Sequence, residues 1–442
     1  MNNKKLPAKG MGREKLFSLL NEMKSGDTGW EDGHMFSLIY NAGADVEKIA
    51  REAYASYMIE NALSPFSFPS LLKMENEVMS MIAGMFNGKE AVGSMTSGGS
   101  ESILMAVKTA RDWARDNRPD IKEPELLMPV TAHPAFNKAA HYLGLKAVIV
   151  PVDKEFRADM DAVREAVNEN TAFMVGTAFT YPHGMVDPIE EMSEIAEERN
   201  IWLHTDSCLG GFILPFMKKS GYKLPEYDFS LNGVKSISAD IHKYGYTPKG
   251  ASTVLYRNID LRKYQIFAYA DWPGGVYGTQ CVSGARPGGA VASAWAVMHY
   301  LGEDGFCRLT EKAVSTARKM MDGAGRIQGL YVLGSPEATV FSIASDTINI
   351  YDIQDRMKKR NWNIESQHLP ASLHVTVSPV HEKIVGSFLS DLEKASAEAV
   401  KVDDKDRSEE AVIYGIMGTL PDRSQARKLM IEYLNDIYTL KG

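Results

Sequence analysis

The 442-residue sequence predicts an α/β protein with a mostly parallel central sheet flanked by helices. Residues 13–90 have a helical pattern, and from about residue 91 to 325 short apolar runs alternate with amphipathic stretches. Segments such as SLHVTVSP follow and predict a smaller α+β domain. Apolar strands that alternate with helices are typical of parallel sheets buried on both faces, and they favour this fold.

The N-terminal helical segment, residues 1–90, contains three predicted helices. They are REKLFSLLNEMKS, DVEKIAREAYASYMIEN and SLLKMENEVMSMIAGMF. In the third, Leu71, Met74, Val78 and Ile82 recur at helical spacing. The prolines and serines of ALSPFSFPS predict an irregular loop before it.

The large α/β domain, residues 91–325, contains five strand-like runs. They are KAVIVPVD (146–153), TAFMVGTAFT (171–180), IWLHTDSC (201–208), VKSISAD (234–240) and STVLYR (252–257). DMDAVREAVNEN and PIEEMSEIAEERN predict helices between them. Ligands of such sheets lie outside the carboxyl ends of the strands, so we expect the site there. Residues 326–442 form the predicted small C-terminal domain, which ends in an amphipathic helix.

Composition excludes several classes of protein. The 57 Asp and Glu residues outnumber the 49 Lys and Arg residues, and no basic cluster suggests a nucleic-acid partner. Three cysteines do not form a disulfide framework. No signal peptide and no transmembrane segment is expected, because no apolar run is long enough. The sequence therefore predicts a cytoplasmic protein.

A glycine-rich turn precedes a helical run at MTSGGSES, residues 95–102. A phosphate binds well at such a turn, because free backbone N–H groups and the helix dipole both favour an anion. Gly99 and Ser100 are the candidate phosphate contacts. The alternative is a plain helix N-cap by Ser97 or Ser100.

Two titratable residues end predicted strands, Asp206 in HTDSC and Lys243 in ADIHKYG. A buried carboxylate needs a cationic partner, and a desolvated lysine has a lowered pKa and can form a Schiff base. With the glycine-rich turn, and with His133 available to stack on a ring, these are the parts that pyridoxal 5′-phosphate requires. Asp206 would pair with the pyridinium nitrogen, and Lys243 would bond to the cofactor.

Other catalytic motifs are missing from the sequence. It has no G-x-x-x-x-G-K-[ST], G-x-S-x-G, H-E-x-x-H or C-x-x-C pattern. His204 and Asp206 alternate onto one face of a strand, but a third metal ligand is missing. We therefore predict no metal site.

Several segments carry a family resemblance. HTDSCLGGFILPF, SISADIHKYGYTPKGAS, ADWPGGVYGTQCVSGARPGG and, near the end, AVIYGIMGTLPDR resemble the sphingosine-1-phosphate lyases, over about residues 30–440. The resemblance implies the pyridoxal-phosphate-dependent transferase fold of type I and a relation to the group II decarboxylases. It also implies a homodimer with active sites at the subunit interface, to which the N-terminal segment contributes. The implied reaction is retro-aldol cleavage of a phosphorylated long-chain base to a fatty aldehyde and phosphoethanolamine.

The resemblance also implies roles for matching residues. Lys243 is the Schiff-base lysine, Asp206 the pyridinium partner and His133 the stacking residue. The cofactor phosphate would be held by Gly99, Ser100 and His242. Tyr40 and Lys249 match catalytic or substrate-phosphate residues, and Asn61 and Ser64 match the substrate-binding loop. Arg286 would either anchor the substrate from the partner subunit or tie the subunit interface.

One departure concerns the substrate phosphate. The family often reads N-P-L-H-P, whereas this chain reads NALSP, so Ser64 replaces a phosphate-binding histidine. A serine donates a hydrogen bond but carries no positive charge. Ser64 therefore motivates a second hypothesis, a pyridoxal-dependent amino-acid decarboxylase. A third is a non-catalytic protein that binds the cofactor.

The base that removes the β-hydroxyl proton is not assigned by the sequence. Tyr40, Lys249 and a cofactor phosphate oxygen are the candidates. Tyr40 or Lys249 needs a lowered pKa for this role.

Overall fold

The computed structural model describes residues 6–399 and 423–439. Of the segment AVIYGIMGTLPDR, only the final arginine belongs to the described residues. The predicted division into residues 1–90, 91–325 and 326–442 stays a prediction.

Three N-terminal helices lie close to their predicted positions. They are α1 (Arg13–Lys24), α2 (Ala44–Ser56) and α3 (Pro69–Met85). Helix α3 begins at a proline, whose fixed φ suits a first helical turn. It buries the predicted apolar stripe, including Val78 and Ile82. Helix α1 buries none of its residues in the single chain.

The central sheet has seven strands, and one of them is antiparallel to its neighbours. The strands are β1 (Val92–Thr96), β2 (Glu125–Pro129), β3 (Lys146–Val150), β4 (Thr171–Thr177), β5 (Trp202–Asp206), β6 (Val234–Ala239) and β7 (Ser252–Tyr256). Their order is β1-β7-β6-β5-β4-β2-β3, and β7 pairs antiparallel with β1 and β6. The predicted mostly parallel sheet is confirmed.

Helices cover both faces of this sheet. They are α4 (Gly99–Asn117), α5 (Ala135–Leu143), α6 (Met160–Ala166), α7 (Ile189–Glu198), α8 (Leu214–Lys219), α9 (Ile259–Arg262) and α10 (Gly288–Ala324). Along β4, Phe173 and Val175 join one apolar cluster and Met174 joins the other. Because successive strand residues point to opposite faces, burial on both faces requires continuous apolar runs.

A hairpin and an antiparallel sheet complete the described structure. The hairpin strands β8 (Phe267–Trp272) and β9 (Gly275–Thr279) are largely exposed. The second sheet has the order β10-β11-β13-β12. Its strands are β10 (Tyr331–Val332), β11 (Val340–Ala344), β12 (Glu365–His368) and β13 (Ala371–Thr376). The remaining helices are α11 (Ile350–Lys359), α12 (Val385–Ala399) and α13 (Arg423–Tyr438).

The helices within residues 6–399 and 423–439 include no membrane-spanning candidate. Each of them is too short or too polar to cross a bilayer. The cytoplasmic location stays a prediction.

Candidate active site

The carboxyl ends of four strands bring the predicted cofactor residues to one edge of the central sheet. Asp206 is the last residue of β5, and Lys243 follows β6 closely. His133 follows β2, and Gly99 follows β1 and begins α4. These four strands run in the same direction, so their carboxyl ends share an edge.

Asp206 is buried and fixed from behind by β6. Its Oδ1 accepts hydrogen bonds from the Cys208 N–H at 3.0 Å and the Ser238 hydroxyl at 3.1 Å. His204 Nε2 lies 3.1 Å from the same Ser238 hydroxyl, and its Nδ1 lies 2.8 Å from the Ser236 hydroxyl. Burial lowers the pKa of His204 to about 4, so this imidazole is neutral. Through Nε2, His204 thus contacts the same Ser238 hydroxyl that donates to Asp206.

Lys243 forms a buried ion pair that the sequence analysis did not anticipate. Its Nζ lies 3.0 Å from Asp240 Oδ2, and its side chain is only 19% exposed. Burial lowers the pKa of Lys243, but the attraction of Asp240 and the phenol of Tyr40 outweigh it, and the net pKa is raised. The expectation of a lowered pKa is therefore wrong for the cofactor-free chain, because a carboxylate stands beside the amine.

The start of α4 packs closely against Asp240 and His242. A Cβ on Gly99 would lie 2.8 Å from Asp240 Oδ2 and 3.1 Å from Cys208 Sγ, so a larger residue cannot fit there. The N-cap is Gly98 without a side-chain cap, so the alternative of an N-cap by Ser97 or Ser100 is wrong. The exposed Ser100 lies in the first turn, where backbone N–H groups lack intrahelical partners.

His133 and His242 flank the lysine and are both neutral at pH 7. Burial, partly opposed by Asp240, lowers the pKa of His242 to about 4. Burial also lowers the pKa of His133, whose titration is affected by Asp206 and Lys243. The His133 Nδ1 accepts a hydrogen bond from the Ala135 N–H at 3.1 Å, and this bond fixes the ring.

Tyr40 and Lys249 meet beside this cluster. The Lys249 Nζ lies 5.3 Å from the centre of the Tyr40 ring and 3.5 Å from the His242 carbonyl oxygen. Burial and repulsion by Lys243 lower the pKa of Lys249 to about 8. Burial raises the pKa of Tyr40 to about 12. The structure thus separates two residues that the sequence could not rank as bases.

The predicted substrate residues lie at a different place in the single chain. Ser64 and Arg286 line a cavity of about 260 Å³ with mixed polar and apolar walls, whereas Tyr40, His242 and Lys249 line a mainly apolar cavity of about 510 Å³. These two cavities have no lining residue in common. One described chain therefore does not bring together all the predicted site residues.

The loop that carries Asn61 and Ser64 is held by its own hydrogen bonds. Asn61 Oδ1 accepts from the Leu63 N–H at 3.2 Å, and the Ser64 hydroxyl accepts from the Ser67 hydroxyl at 3.0 Å. Arg286 binds Glu75 through two contacts of 2.6 and 2.9 Å and is 8% exposed. A substrate role for Arg286 stays a prediction, and its observed partner is a carboxylate of its own chain.

The chain is similar to proteins of known function in both sequence and structure. Residues 3–328 match the pyridoxal-dependent decarboxylase conserved domain. The chain is 40% identical to a sphingosine-1-phosphate lyase of Arabidopsis thaliana over 98% of this chain and 81% of that protein. It superposes on the structure of a Burkholderia pseudomallei sphingosine-1-phosphate lyase with a TM-score of 0.90, at 35% identity, over 99% and 98% of the two chains.

The chain belongs to the sphingosine-1-phosphate lyase branch of the pyridoxal-dependent decarboxylase family. A more distant relative is an L-aspartate/L-glutamate decarboxylase of Pyrococcus horikoshii, 32% identical over 88% of this chain and 99% of that protein. The fold is that of the family, and the cofactor is pyridoxal 5′-phosphate.

The residues at the strand ends fit this cofactor of the family. His242 Nδ1 and Asp240 Oδ1 are buried and have no hydrogen-bond partner among the described residues. Because residue 99 has no side chain, the backbone at the start of α4 lies directly against Asp240. Unpartnered buried polar atoms are expected where a polar group binds. Lys243, Asp206, His133, Gly99, Ser100 and His242 therefore remain the proposed cofactor residues.

Two further groups at the site were missed by the sequence analysis. Asp240 stands three residues before Lys243, and that spacing after a strand was the available signal. Tyr181, in the segment that follows β4, donates its hydroxyl to Glu365 of β12. Burial and then this bond raise the pKa of Tyr181. No local pattern in the sequence links residues 181 and 365.

Proposed function

We propose that this protein is a pyridoxal-phosphate-dependent carbon–carbon lyase. Its substrate would be a phosphorylated long-chain base of the sphingosine 1-phosphate type, cleaved to a fatty aldehyde and phosphoethanolamine. The observation that carries the proposal is the apolar cavity of about 510 Å³ that ends at Tyr40 and Lys249. Ile39, Val46 and Met58 are among its walls, and they suit a hydrocarbon chain better than the short polar side chain of an amino acid.

The cofactor residues have separable tasks. Lys243 would hold the cofactor through its amine, and Asp206 would keep the pyridine nitrogen protonated. Gly99, Ser100 and His242 would hold the phosphate group, and His133 would cover the ring. When bound, pyridoxal 5′-phosphate supplies an electron sink for the electron pair of the broken Cα–Cβ bond.

Lys249 is the base that the structure favours for the β-hydroxyl proton. A general base must be unprotonated, and it works best with a pKa near the operating pH. The pKa of Lys249 is lowered to about 8, whereas the pKa of Tyr40 is raised to about 12. Tyr40 would keep its own proton. Its ring would face the ammonium that Lys249 becomes once it has taken up the β-hydroxyl proton.

Each active site is proposed to be shared between two subunits of a homodimer. Two observations support this arrangement. Ser64 and Arg286 line one cavity of the chain, whereas Tyr40, His242 and Lys249 line another. Large apolar side chains near these regions are also exposed, among them Ile59 at 83%, Phe66 at 95% and Val276 at 83%. Such exposure is expected of an interface.

Turnover of two substrate classes tests the proposed reaction. Purified holoenzyme is incubated in parallel with sphingosine 1-phosphate and with L-aspartate or L-glutamate. We expect a long-chain aldehyde and phosphoethanolamine in equal amounts, and no carbon dioxide. Carbon dioxide without aldehyde would instead establish the decarboxylase, and no turnover by either route would favour the non-catalytic hypothesis.

Subunit mixing tests the shared site. The inactive variants Lys243→Ala and Asn61→Ala are refolded together, so that half of the dimers carry one of each. If sites are shared, each mixed dimer has one intact site and activity recovers to about a quarter of the wild-type value. If no activity is recovered, or if the protein is a monomer in analytical ultracentrifugation, the active site is not shared between subunits.

A further inference from the structure

The cavity that Ser64 lines also contains charged side chains. Its charged lining residues are Glu75, Arg262 and Arg286. Glu75 and Arg286 neutralise each other through their two-contact ion pair. The positive charge of Arg262 is thus left over in a cavity that Ser64 also lines.

Arg262 forms no ion pair within the described residues 6–399 and 423–439. Its Nη2 donates to the Gln280 side-chain oxygen at 2.7 Å and lies 3.2 Å from the Ser94 hydroxyl, and both of these partners are neutral. Its Nε is buried and has no hydrogen-bond partner in that part of the chain. A guanidinium that lines a cavity and has no ion pair within the described residues is suited to an incoming oxyanion.

We propose that Arg262 binds the phosphate group of the substrate in place of the histidine that Ser64 replaces. Ser64 would donate one hydrogen bond, and Arg262 would provide the charge and further donors. The inference rests on the proposed function, because it takes the substrate to be phosphorylated. It assigns the specificity for a phosphate to a residue from a different segment, at the end of α9.

Alternative roles make different demands on Arg262. A purely structural arginine would tie β1 to the segment after β9, through Ser94 and Gln280. Such a role predicts loss of stability without a change in substrate preference. A carboxylate-binding arginine predicts that amino-acid substrates bind more tightly than phosphates.

Binding of small phosphates to the holoenzyme tests the proposal without relying on turnover. Phosphoethanolamine, inorganic phosphate and L-aspartate are titrated into wild type, Arg262→Gln and the exposed control Arg164→Gln by calorimetry. We expect Arg262→Gln to weaken phosphoethanolamine binding about ten- to hundredfold, with Arg164→Gln unchanged. Unchanged binding in Arg262→Gln, or tighter binding of L-aspartate than of phosphate to wild type, overturns the proposal.

A rescue experiment separates charge from structure. Ser64→His in the Arg262→Gln background should restore phosphoethanolamine binding at pH 6 to within about threefold of wild type, and less at pH 8, because the imidazole loses its charge. In steady-state kinetics, Arg262→Gln should raise KM for sphingosine 1-phosphate and leave kcat within about twofold. A failed rescue together with an unchanged KM assigns Arg262 to structure alone.

Chemical labelling keeps the test decisive if Arg262→Gln does not fold. Wild-type holoenzyme is treated with phenylglyoxal, and its arginines are mapped by mass spectrometry. Phosphoethanolamine should protect Arg262 and not Arg164. Equal labelling with and without phosphoethanolamine contradicts the inference. If phosphoethanolamine binds and protects Arg262 but no aldehyde forms from sphingosine 1-phosphate, the proposed reaction fails, whereas a phosphate site at Arg262 is retained.

Discussion

Two buried ion pairs in this protein are built in opposite ways. Lys243 and Asp240 share one contact of 3.0 Å, and the other carboxylate oxygen has no partner among the described residues. Arg286 and Glu75 share two contacts, and Arg286 also donates to the carbonyl oxygens of Met95 and Ala62. A pair that would have to open when Lys243 bonds to the cofactor thus consists of a titratable amine with few bonds. A permanent pair uses a guanidinium and most of its donors.

The largest expected effect is on catalysis, at the pair that must open. Lys243→Ala removes the amine that would hold the cofactor, so kcat for aldehyde release should fall at least about 10⁴-fold. The measurement is aldehyde production over hours at saturating substrate. The exposed Lys219→Ala is the control and should keep wild-type activity. Near-normal turnover in Lys243→Ala would show that Lys243 is not the residue that bonds to the cofactor.

The next effect is on stability, at the permanent pair. Arg286→Gln leaves the buried carboxylate of Glu75 unpaired and should lower the free energy of unfolding by about 3–5 kcal/mol. Urea unfolding followed by circular dichroism measures it, with Arg164→Gln as the exposed control. If the free energy of unfolding falls by less than about 1 kcal/mol, the Arg286–Glu75 pair is not a permanent structural pair.

A smaller effect concerns cofactor uptake by cofactor-free protein. Asp240 helps to raise the pKa of Lys243, and only the neutral amine attacks an aldehyde. Asp240→Asn should lower this pKa and accelerate uptake of added pyridoxal 5′-phosphate at pH 7 by at least about tenfold, since each pKa unit changes the neutral fraction tenfold. Stopped-flow absorbance follows the reaction. Slower uptake would mean that Asp240 aids uptake by some other contact.

The smallest effect is the pH response of Lys249. Because this base must be neutral and has a pKa of about 8, kcat should rise about tenfold per pH unit below 8 and level off above it. Lys249→Arg should abolish this rise, because arginine stays charged. A kcat profile with its alkaline limb near pH 12 would instead point to Tyr40, whose pKa is raised to about 12.

The sheet and half of the site could be predicted from the sequence, because both depend on local pattern. The run that ends in Asp206 and the motif around Lys243 lie at strand ends, where they were expected. Strands β1 and β2 were missed, since VGSMT contains a glycine and ELLMP is short and ends in proline. Their apolar character is too brief to give a period.

Partners distant in the chain could not be predicted in the same way. Arg286 was assigned to substrate or interface, but the fold places it against Glu75, 211 residues earlier. Arg262 could not be predicted as a site residue, because the residues next to it in the sequence form no motif. Tertiary packing decides which charged side chains form ion pairs with distant residues. The spacing of these residues along the sequence does not predict such pairs.

The two separate cavities of the single chain have an evolutionary consequence. The walls around Ser64 come mainly from the loop before α3, from α3, α9 and β9, and from the segment between β9 and α10. The proposed cofactor residues lie instead at the carboxyl ends of β1, β2, β5 and β6. Mutations in the walls around Ser64 can exchange one substrate headgroup for another without disturbing the proposed cofactor residues. A family with this layout can diversify its chemistry of recognition on an unchanged catalytic frame, and an engineer can do the same by redesigning the Ser64 cavity alone.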